Sequence, residues 1–429
     1  MKKINVGIIG FGTIGAGVVK ALQSKKAFLK EKSGIDIIIS RICDNDLKTK
    51  RPVKVSKSIL TSSIGKVLYD PDIDIVVELI GGITPAKDII LEALRQGKHV
   101  VTANKALLSD SGYEIFNFAR KLGLSVGFEA SVGGGIPIIK SLSEGFIANR
   151  IDLIRGIING TSNFILTKMA EEGINFAEAL SIAQDKGYAE RIPSLDISGA
   201  DSAHKLSILA LLGFGVNAKA SDIYTEGIVD IEPMDIQYAK EAGYAVKLLA
   251  IAKRTRDSLE LRVHPTLVRR EHLLANVGGV YNAIFVKGDL VGENLFFGEG
   301  AGAKPTSSAV VSDIVAIAGV ISSESKAASR PVLFKKTVKN IKRMGDVETR
   351  YYIRFYTLDK PGVLAKISGI LAKYRISIAS VSQKEKSASA VPIVMMTHEA
   401  IERNMAKALK EINRLPMIKK KTVRIRIEG

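Results

Sequence analysis

The chain has 429 residues, of which 46% are hydrophobic and 25% charged, values typical of a globular protein with two or three domains. It contains no run of 18 uninterrupted apolar residues, which argues against a membrane span. The N-terminal segment MKKINVGIIGFGTIG is patterned as strand, turn and helix rather than as a signal peptide, so we expect a cytoplasmic protein. The single cysteine, Cys43, excludes an intramolecular disulfide, and the five scattered histidines argue against a His-based metal site.

The formal net charge of +18 allows two interpretations. One is nucleic-acid binding, and the other is a lysine-rich surface that helps to hold anionic ligands. The basic residues are dispersed except in the segment MIKKKTVRIRI, and the chain has no tryptophan. We therefore expect no nucleic-acid partner.

Residues 1–130 alternate short apolar strands with helical patterns. INVGIIG, IDIIISRICD and DIDIVVELIGG predict strands, and AGVVKALQSKKAFLKEK and TPAKDIILEALRQGK predict helices. HVVTANK and SVGFEASVGG continue the series. This alternation predicts βαβ units and a doubly wound parallel sheet.

The rest of the chain predicts two further parts. Residues 131–300 mix helices with strands such as IDLIRGIING and LELRVHPTLV, which indicates an α+β domain with a mostly antiparallel sheet. Residues 304–321 predict an apolar helix, and a polar linker follows. The last 80 residues have the order βαββαβ and predict a separate ferredoxin-like unit.

A G-x-G-x-x-G segment lies between the first strand and the first helix, formed by Gly10, Phe11, Gly12, Thr13, Ile14 and Gly15. This context predicts a dinucleotide site, because the glycines allow the backbone to approach a pyrophosphate at a helix N-terminus. Asp44, at the end of the second strand, is a candidate for the ribose hydroxyls of NAD. Arg41, Lys48, Lys50 and Arg51 are close enough in sequence to hold the 2′-phosphate of NADP instead, so both cofactors remain open.

Two further strand-end segments carry polar candidates. Lys105, in TANK, could contact the nicotinamide or the substrate, because ligands of open α/β sheets bind at the carboxyl ends of strands. The alternative is a surface lysine at a helix start. Glu129 precedes a Gly-rich turn, and its oxygens with turn carbonyls could hold a hard cation.

The segment DKGYAERIPSLDISGADSAHKLSIL concentrates polar groups among small and apolar residues. Asp201 and Lys205 are four residues apart and therefore share one helix face. Apolar flanks predict that this helix is largely buried, and a partly buried lysine beside an aspartate suits proton donation to a carbonyl oxygen. Glu190 and Asp196, on the preceding loop, could bind a substrate ammonium group. A surface salt bridge is the alternative.

Together these segments resemble homoserine dehydrogenase, which interconverts L-homoserine and L-aspartate 4-semialdehyde in threonine and methionine synthesis. The motifs that carry the resemblance include GIIGFGTIG, TANKALL, FEASVGGGIPII, GIINGTSNFIL, KGYAERIPSLDISGADSAHKL and GEGAGAKPTSSAVVSDI. The last 80 residues, with TLDKPGVLAKIS, resemble an ACT domain. The chain looks like the monofunctional, ACT-bearing form, since no aspartate kinase region precedes the dehydrogenase.

The resemblance implies specific roles. Lys205 and Asp201 would be catalytic, with Lys105 in a catalytic or cofactor-binding role between cofactor and substrate. Substrate would be bound by Glu190, Tyr188, Asp196 and Asp201. Gly187, Gly300 and Gly302 would join the Gly-rich turn at the cofactor, and a sodium ion would be held by Glu129, Val132, Gly134 and Ile136.

The resemblance also implies a domain order and a mode of control. A Rossmann domain would comprise residues 1–131 with 304–322, a catalytic and dimerisation domain 132–303, a linker 323–349 and an ACT domain 350–429. We expect a homodimer or homotetramer and an amino-acid effector, with threonine the leading candidate, bound near Asp359-Lys360-Pro361-Gly362. The family commonly has Glu-Ala-Asp-Pro where this chain has Glu190-Arg191-Ile192-Pro193, and Gly-Pro-Gly-Ala-Gly where it has Gly298-Glu299-Gly300-Ala301-Gly302. The alternative function is an inactive scaffold that acts as an amino-acid sensor.

Overall fold

The computed structural model describes residues 2–256, 258–323, 338, 340–383 and 390–428. Residues 324–337 and 339 of the predicted linker lie outside the described residues, as do residues 384–389 of the predicted ACT domain. The described residues form two compact units. Unit 1 takes its residues from 1–151, 204–222 and 288–337, and unit 2 from 152–203, 223–287 and 338–429.

The elements follow in chain order. The first part of the chain forms β1 (Lys3–Ile9), α1 (Thr13–Ser24), α2 (Lys26–Ser33), β2 (Asp36–Cys43), β3 (Leu60–Thr61), α3 (Gly65–Leu68), β4 (Ile75–Glu78), α4 (Ala86–Arg95), β5 (His99–Thr102), α5 (Lys105–Lys121), β6 (Val126–Gly127), α6 (Ile138–Lys140) and β7 (Ile151–Ile157). The middle part forms α7 (Gly160–Glu172), α8 (Phe176–Asp185), α9 (Ser194–Ile197), α10 (Ala200–Phe214), β8 (Tyr224–Thr225), α11 (Pro233–Glu241), β9 (Tyr244–Thr255), β10 (Ser258–Arg269) and β11 (Tyr281–Gly288). The last part forms β12 (Gly292–Glu299), α12 (Ala303–Ser322), β13 (Asn340–Ile341), β14 (Glu348–Thr357), α13 (Val363–Lys373), β15 (Ile378–Gln383), β16 (Val391–Thr397), β17 (Ala400–Ile401), α14 (Glu402–Ile412) and β18 (Val423–Glu428).

Unit 1 contains a parallel sheet in the order β3-β2-β1-β4-β5-β6. Its central strands are continuous apolar runs, as expected for strands that are covered by helices on both faces. Val6, Ile8 and Val77 are fully buried. The predicted doubly wound parallel sheet is confirmed.

Helix α12 packs into the same core. It contributes Val310, Ile314 and Ile317 to the cluster that contains the buried residues of β1. By length and composition alone this helix could cross a membrane. Several of its apolar side chains, including Val310, Ile314 and Ile317, are buried inside unit 1, as in a core helix of a globular protein.

Unit 2 contains a mixed sheet in the order β11-β7-β9-β10-β18-β14-β16-β15. The 12-residue strands β9 and β10 pair antiparallel over their full length, consistent with the predicted mostly antiparallel α+β domain. Strand β18 runs parallel to β10 on one side and antiparallel to β14 on the other.

The C-terminal part of unit 2 has the predicted ferredoxin-like order, with strands arranged β18-β14-β16-β15. Helices α13 and α14 contribute Ile367 and Met405 to a core shared with Tyr351, Ile353 and Phe355 of β14. The sequence predicts a separate unit here. In the structure β18 instead joins this sheet to β10, because both of its edges are hydrogen-bonded.

Candidate active site

The Gly-rich turn leads from β1 directly into α1. Gly10 has φ +104°, and a Cβ atom there would lie 2.7 Å from the carbonyl of Leu79. A Cβ atom on Gly15 would lie 2.0 Å from the Gly10 carbonyl oxygen, so α1 approaches the turn closely only because residue 15 is glycine. The first-turn N–H groups of a helix have no acceptors within the helix, so this turn fits a pyrophosphate.

Asp44 holds the turn itself. Its carboxylate accepts hydrogen bonds from the backbone N–H of Phe11 (2.5 Å) and of Asp46 (2.8 Å). Arg51 lies beside it, with Nε donating to the Phe11 carbonyl oxygen at 2.6 Å and Nη2 4.0 Å from an Asp44 oxygen. A cavity of about 1140 Å³ opens next to the turn, lined in part by Gly12, Lys50 and Arg51. Arg41, by contrast, binds the Ser58 carbonyl oxygen.

Lys105 is the first residue of α5, and a buried polar network fixes the start of that helix. Glu78 accepts from the hydroxyl of Thr102 (2.7 Å) and from the backbone N–H of Ile80 (2.8 Å). Thr102 in turn accepts from the N–H of Asn104, whose side chain donates to the Gly82 carbonyl oxygen at 2.6 Å and caps α5. The roles of Glu78 and Asn104 were not predicted from the sequence. The carboxylate at the end of the apolar run IVVE could have indicated a buried polar group.

Helix α10 carries both Asp201 and Lys205, and both side chains are buried. The predicted burial of this helix is therefore confirmed, and an exposed surface salt bridge is excluded. Ser207, two residues after Lys205, donates its hydroxyl hydrogen to Ser109 of α5 at 2.8 Å. The two candidate lysines, Lys105 and Lys205, therefore lie on helices joined by a buried contact.

Asn159 brings two of the predicted carboxylates together. Its Nδ2 donates to Asp196 Oδ1 at 2.6 Å and to Asp201 Oδ2 at 2.8 Å, while its Oδ1 accepts from the N–H of Ser162. Ser162 also donates to the Asp196 carbonyl oxygen at 2.8 Å. The motif GIINGTSNFIL contains Asn159, but nothing in its local sequence shows that the amide joins residues 37 and 42 positions away.

The other predicted substrate residues lie on the exposed segment between α8 and α9. The carbonyl oxygen of Tyr188 accepts from Thr161 at 2.6 Å, and its ring packs edge-on against Phe164 at 5.0 Å. Gly187 has φ +72° just after α8. Glu190 is exposed, and Ile192, in the segment that departs from the family pattern, is 77% exposed.

Glu129 is buried, and its two carboxylate oxygens accept from the backbone N–H groups of Ile139 (2.8 Å) and Lys140 (3.0 Å). Burial, together with the charge of Asp313, outweighs these hydrogen bonds and raises the pKa of Glu129 to about 7. Burial also raises the pKa of Asp313, whose carboxylate accepts from the N–H of Glu129 and pairs with Lys140 at 3.2 Å. Lys140 thus contacts both buried carboxylates, Glu129 through its backbone N–H and Asp313 through its ammonium group.

The turn after Glu129 supplies backbone oxygens, with Gly133 and Gly134 at φ +73° and +55°. The Ile136 carbonyl oxygen accepts from the N–H of Ile138 at 2.8 Å. A Cβ atom on Gly134 would lie 2.6 Å from the Gly300 carbonyl carbon, so the two glycine turns pack backbone to backbone. Gly302, at φ +110°, begins α12. Among the described residues no group of three or more His, Cys, Asp or Glu side chains could hold a metal ion, so a cation here would depend on carbonyl oxygens.

Two features define the class of the protein. One is a parallel sheet whose first strand leads into a turn that fits a pyrophosphate, and the other is a buried helix with a lysine and an aspartate one turn apart. The protein is an oxidoreductase that binds a nicotinamide dinucleotide. Family models match three successive parts of the chain. The homoserine dehydrogenase model matches residues 137–315, the homoserine dehydrogenase NAD binding domain residues 10–129 and the ACT domain residues 351–416.

Individual relatives cover the whole chain. The homoserine dehydrogenase of Neisseria gonorrhoeae is 42% identical over 100% of this chain and 99% of its own length. That of Bacillus subtilis is 38% identical at the same coverage. The crystal structure of a homoserine dehydrogenase from Thiobacillus denitrificans matches with a TM-score of 0.94 and 44% identity, covering 100% of this chain and 99% of that one. The chain belongs to the homoserine dehydrogenase family, and the resemblance seen in its sequence is confirmed.

Proposed function

We propose that the chain interconverts L-homoserine and L-aspartate 4-semialdehyde with Lys205 as the group that donates or accepts the proton at the substrate oxygen. The observation that carries this assignment is the placement of Lys205 on a buried helix one turn after Asp201. Asp201 is held by Asn159 together with Asp196. Family membership gives the substrate pair, and the burial of Asp201 and Lys205 on one helix supports the proposed residue roles.

In the proposed mechanism Glu190 binds the amino group of the substrate, and Tyr188 and Asp196 line the same pocket. Asp201 orients the substrate and Lys205, since both carboxylate-bearing segments are fixed by the Asn159 amide. The turn at Gly10, Gly12, Thr13, Ile14 and Gly15 would hold the pyrophosphate of NAD(P), which would supply or accept the hydride at C4. Lys205 protonates the developing alkoxide during reduction and takes the proton back during oxidation. A positioned general acid contributes about 10²–10⁴-fold to the rate.

The test is the Lys205→Ala variant. We expect kcat to fall about 10³-fold, because the variant loses the proton donor but keeps the helix. Lys219→Ala is the matched control, since the Lys219 side chain is 57% exposed and pairs with Asp110. Near-normal turnover by Lys205→Ala would remove the proton-transfer role from this residue.

Lys105 is proposed to lie between cofactor and substrate at the start of α5. Its helix is capped by the buried Asn104 network, which fixes the backbone position from which the Lys105 side chain extends. If Lys105 is the main acid–base group, Lys105→Ala loses more kcat than Lys205→Ala. We expect the opposite order, with the larger change for Lys105→Ala in the KM for the cofactor.

For the cation, we propose a sodium ion at the carbonyl oxygens of Val132, Gly134 and Ile136 beside Glu129. Glu129 is buried and accepts from backbone N–H groups, whereas the Lys140 ammonium group pairs with Asp313, so a monovalent cation beside Glu129 would favour its ionised form. The test compares thermal midpoints in sodium chloride and choline chloride at equal ionic strength. We expect sodium to raise the midpoint of the wild type and to have a smaller effect on Glu129→Gln; equal midpoints in the two salts would exclude the site.

Effector control is proposed to act through the C-terminal part of unit 2, with threonine as the leading candidate and its site near Asp359–Gly362. This loop connects β14 to α13, and Gly362 at φ +83° begins that helix. Activity is measured across a threonine titration, with serine as the control. Unchanged activity in threonine would exclude it as the effector.

The cofactor is proposed to be NAD or NADP. A hyperthermophilic archaeal homoserine dehydrogenase is in complex with NADPH; it is 26% identical, covers 73% of this chain and 97% of its own, and has a TM-score of 0.62.

We also propose a cytoplasmic homodimer or homotetramer. The proposed domains are a Rossmann domain (1–131 with 304–322), a catalytic domain (132–303) and an ACT domain (350–429). Light scattering of the purified chain distinguishes the two assemblies.

A further inference from the structure

Residues 224–228, called here the bridging segment, connect two parts of unit 2. On one side the segment contacts the last strand, β18. Glu226 accepts from Arg426 Nη1 at 2.7 Å and from Arg424 Nη2 at 2.8 Å, and Arg426 also donates to the Tyr224 hydroxyl at 3.0 Å. Arg426 is fully buried, whereas the Glu226 side chain is 30% exposed.

Glu402 completes this cluster from the ACT helix α14. It accepts from Arg426 at 2.9 Å and 2.7 Å and pairs with Arg424 at 2.6 Å. Burial alone raises the pKa of Glu226, but hydrogen bonds and charge from Arg426 and Arg424 outweigh it and lower the pKa to about 2. Glu226 is therefore ionised at neutral pH, and the arginines fix its position from the side of the ACT domain.

On its other side the bridging segment contacts residues 197–199. The N–H of Ile228 donates to the Ile197 carbonyl oxygen at 2.9 Å. A Cβ atom on Gly227 would lie only 2.2 Å from the same oxygen and 2.8 Å from the Cα of Ser198. Gly199 has φ +84°, and a Cβ atom there would lie 3.3 Å from the Glu226 carbonyl oxygen. Because this contact is backbone against backbone, a displacement of one segment displaces the other.

Residues 197–199 stand between two of the proposed substrate residues. Asp196 precedes them, and Asp201 follows in the first turn of α10. The Gly199 carbonyl oxygen accepts from the N–H of Ala203, so it begins the hydrogen bonding of α10. The bridging segment therefore contacts the short stretch that sets the spacing of Asp196 and Asp201.

We infer that Arg426 and Arg424 of β18, acting through Glu226 and Gly227, are positioning residues for the substrate pocket. This inference rests on the proposed function of Asp196 and Asp201. The ACT domain is thereby connected to the pocket through β18 and the bridging segment. The quantity that these contacts control is the affinity for homoserine. The inference predicts no change in cofactor affinity.

The first test uses Glu226→Gln in the full chain, because Glu226 is partly exposed and the substitution keeps its size. We expect the KM for homoserine to rise about tenfold, with kcat within threefold and the KM for the cofactor within twofold. Glu411→Gln, which breaks the exposed Lys373 pair elsewhere in the ACT domain, is the control and should leave both KM values unchanged. An equal rise in both KM values would indicate general damage and would overturn the inference.

A second readout does not depend on turnover. Hydrogen exchange of the ligand-free chain should be faster in residues 194–203 of Glu226→Gln than of wild type, and unchanged in α5. Gly227→Ala should give the same pattern, with Gly369→Ala as control, since a Cβ atom at Gly369 meets nothing within 4 Å. Unchanged exchange in residues 194–203, or faster exchange with an unchanged homoserine KM, would overturn the inference. A wild-type chain that does not oxidise homoserine would instead contradict the proposed function, and the exchange result would still decide whether the arginines position this segment.

Discussion

The sheets of the two units differ in the kinds of side chain that they bury. In unit 1 the central strands β1 and β4 are apolar, and the buried carboxylate of Glu78 lies at the end of its strand. In unit 2 charged residues occupy the middle of strands. Among the described residues, Arg262, Arg354 and Arg426 are the largest fully buried side chains, and each is paired with carboxylates.

Charged and polar side chains therefore have different roles in the two units. Polar groups at the strand ends of unit 1 face the place where a ligand binds an open α/β sheet. The mid-strand charges of unit 2 face other strands and helices of the same unit, so they hold the sheet together and specify which segments pair. Apolar packing tolerates substitutions of similar volume, whereas an unpaired buried charge is costly.

The largest effect is expected at Asp235, which accepts from Arg354 Nε at 2.6 Å, from Arg354 Nη2 at 2.9 Å and from the Tyr352 hydroxyl at 2.9 Å. Asp235→Asn should lower the free energy of unfolding by about 3 kcal/mol, because it leaves the Arg354 charge without its buried partner. Urea denaturation measures this loss. Asp230→Asn is the control, since Asp230 forms an exposed pair with Lys421. A loss below about 1 kcal/mol would show that the buried charges of unit 2 are not structural.

A smaller effect is expected at Lys247, which is buried and donates to the Val277 carbonyl oxygen at 2.6 Å. Burial lowers its pKa from 10.5 to about 8. Between these values the unfolded chain holds a proton that the folded chain lacks, so the free energy of unfolding rises with pH. Relative to Lys247→Met, the wild type should gain about 2 kcal/mol between pH 7.5 and pH 9.5 in urea denaturation. A pH-independent difference would contradict the lowered pKa.

The smallest effect is expected in unit 1, at Arg51. Its charge lies beside the Gly-rich turn, where Asp44 is already engaged by the N–H of Phe11. Arg51→Ala should raise the KM for NADPH about tenfold, or about 1.4 kcal/mol, and the KM for NADH less than twofold, with unchanged stability. Arg41→Ala, whose guanidinium is held by Ser58, is the control. An equal rise for both cofactors would mean that Arg51 only supports the turn.

The sequence predicts the apolar part of the structure well. The βαβ alternation, the glycine turn and the buried face of α10 all follow from local patterns, and so does the βαββαβ order. The segment TVRIRIE shows where such patterns fail. Alternation predicts that Arg424 and Arg426 point to solvent, but their partner Glu226 lies about 200 positions earlier in the chain. Asn159 was missed for the same reason, because its role depends on two carboxylates brought to it by folding.

Strand β18 has a consequence for how the chain folds during its synthesis. Strands β10 and β14 are both made before residues 423–428, yet β18 pairs with residues 266–268 of β10 and with residues 350–354 of β14, at one edge of each. Until those residues emerge, two long strands have unpaired N–H and C=O groups at those edges, and such edges favour aggregation. Segments that close a sheet late are expected to depend most on chaperones, so the cellular yield of this chain should fall sharply when residues 423–428 are deleted.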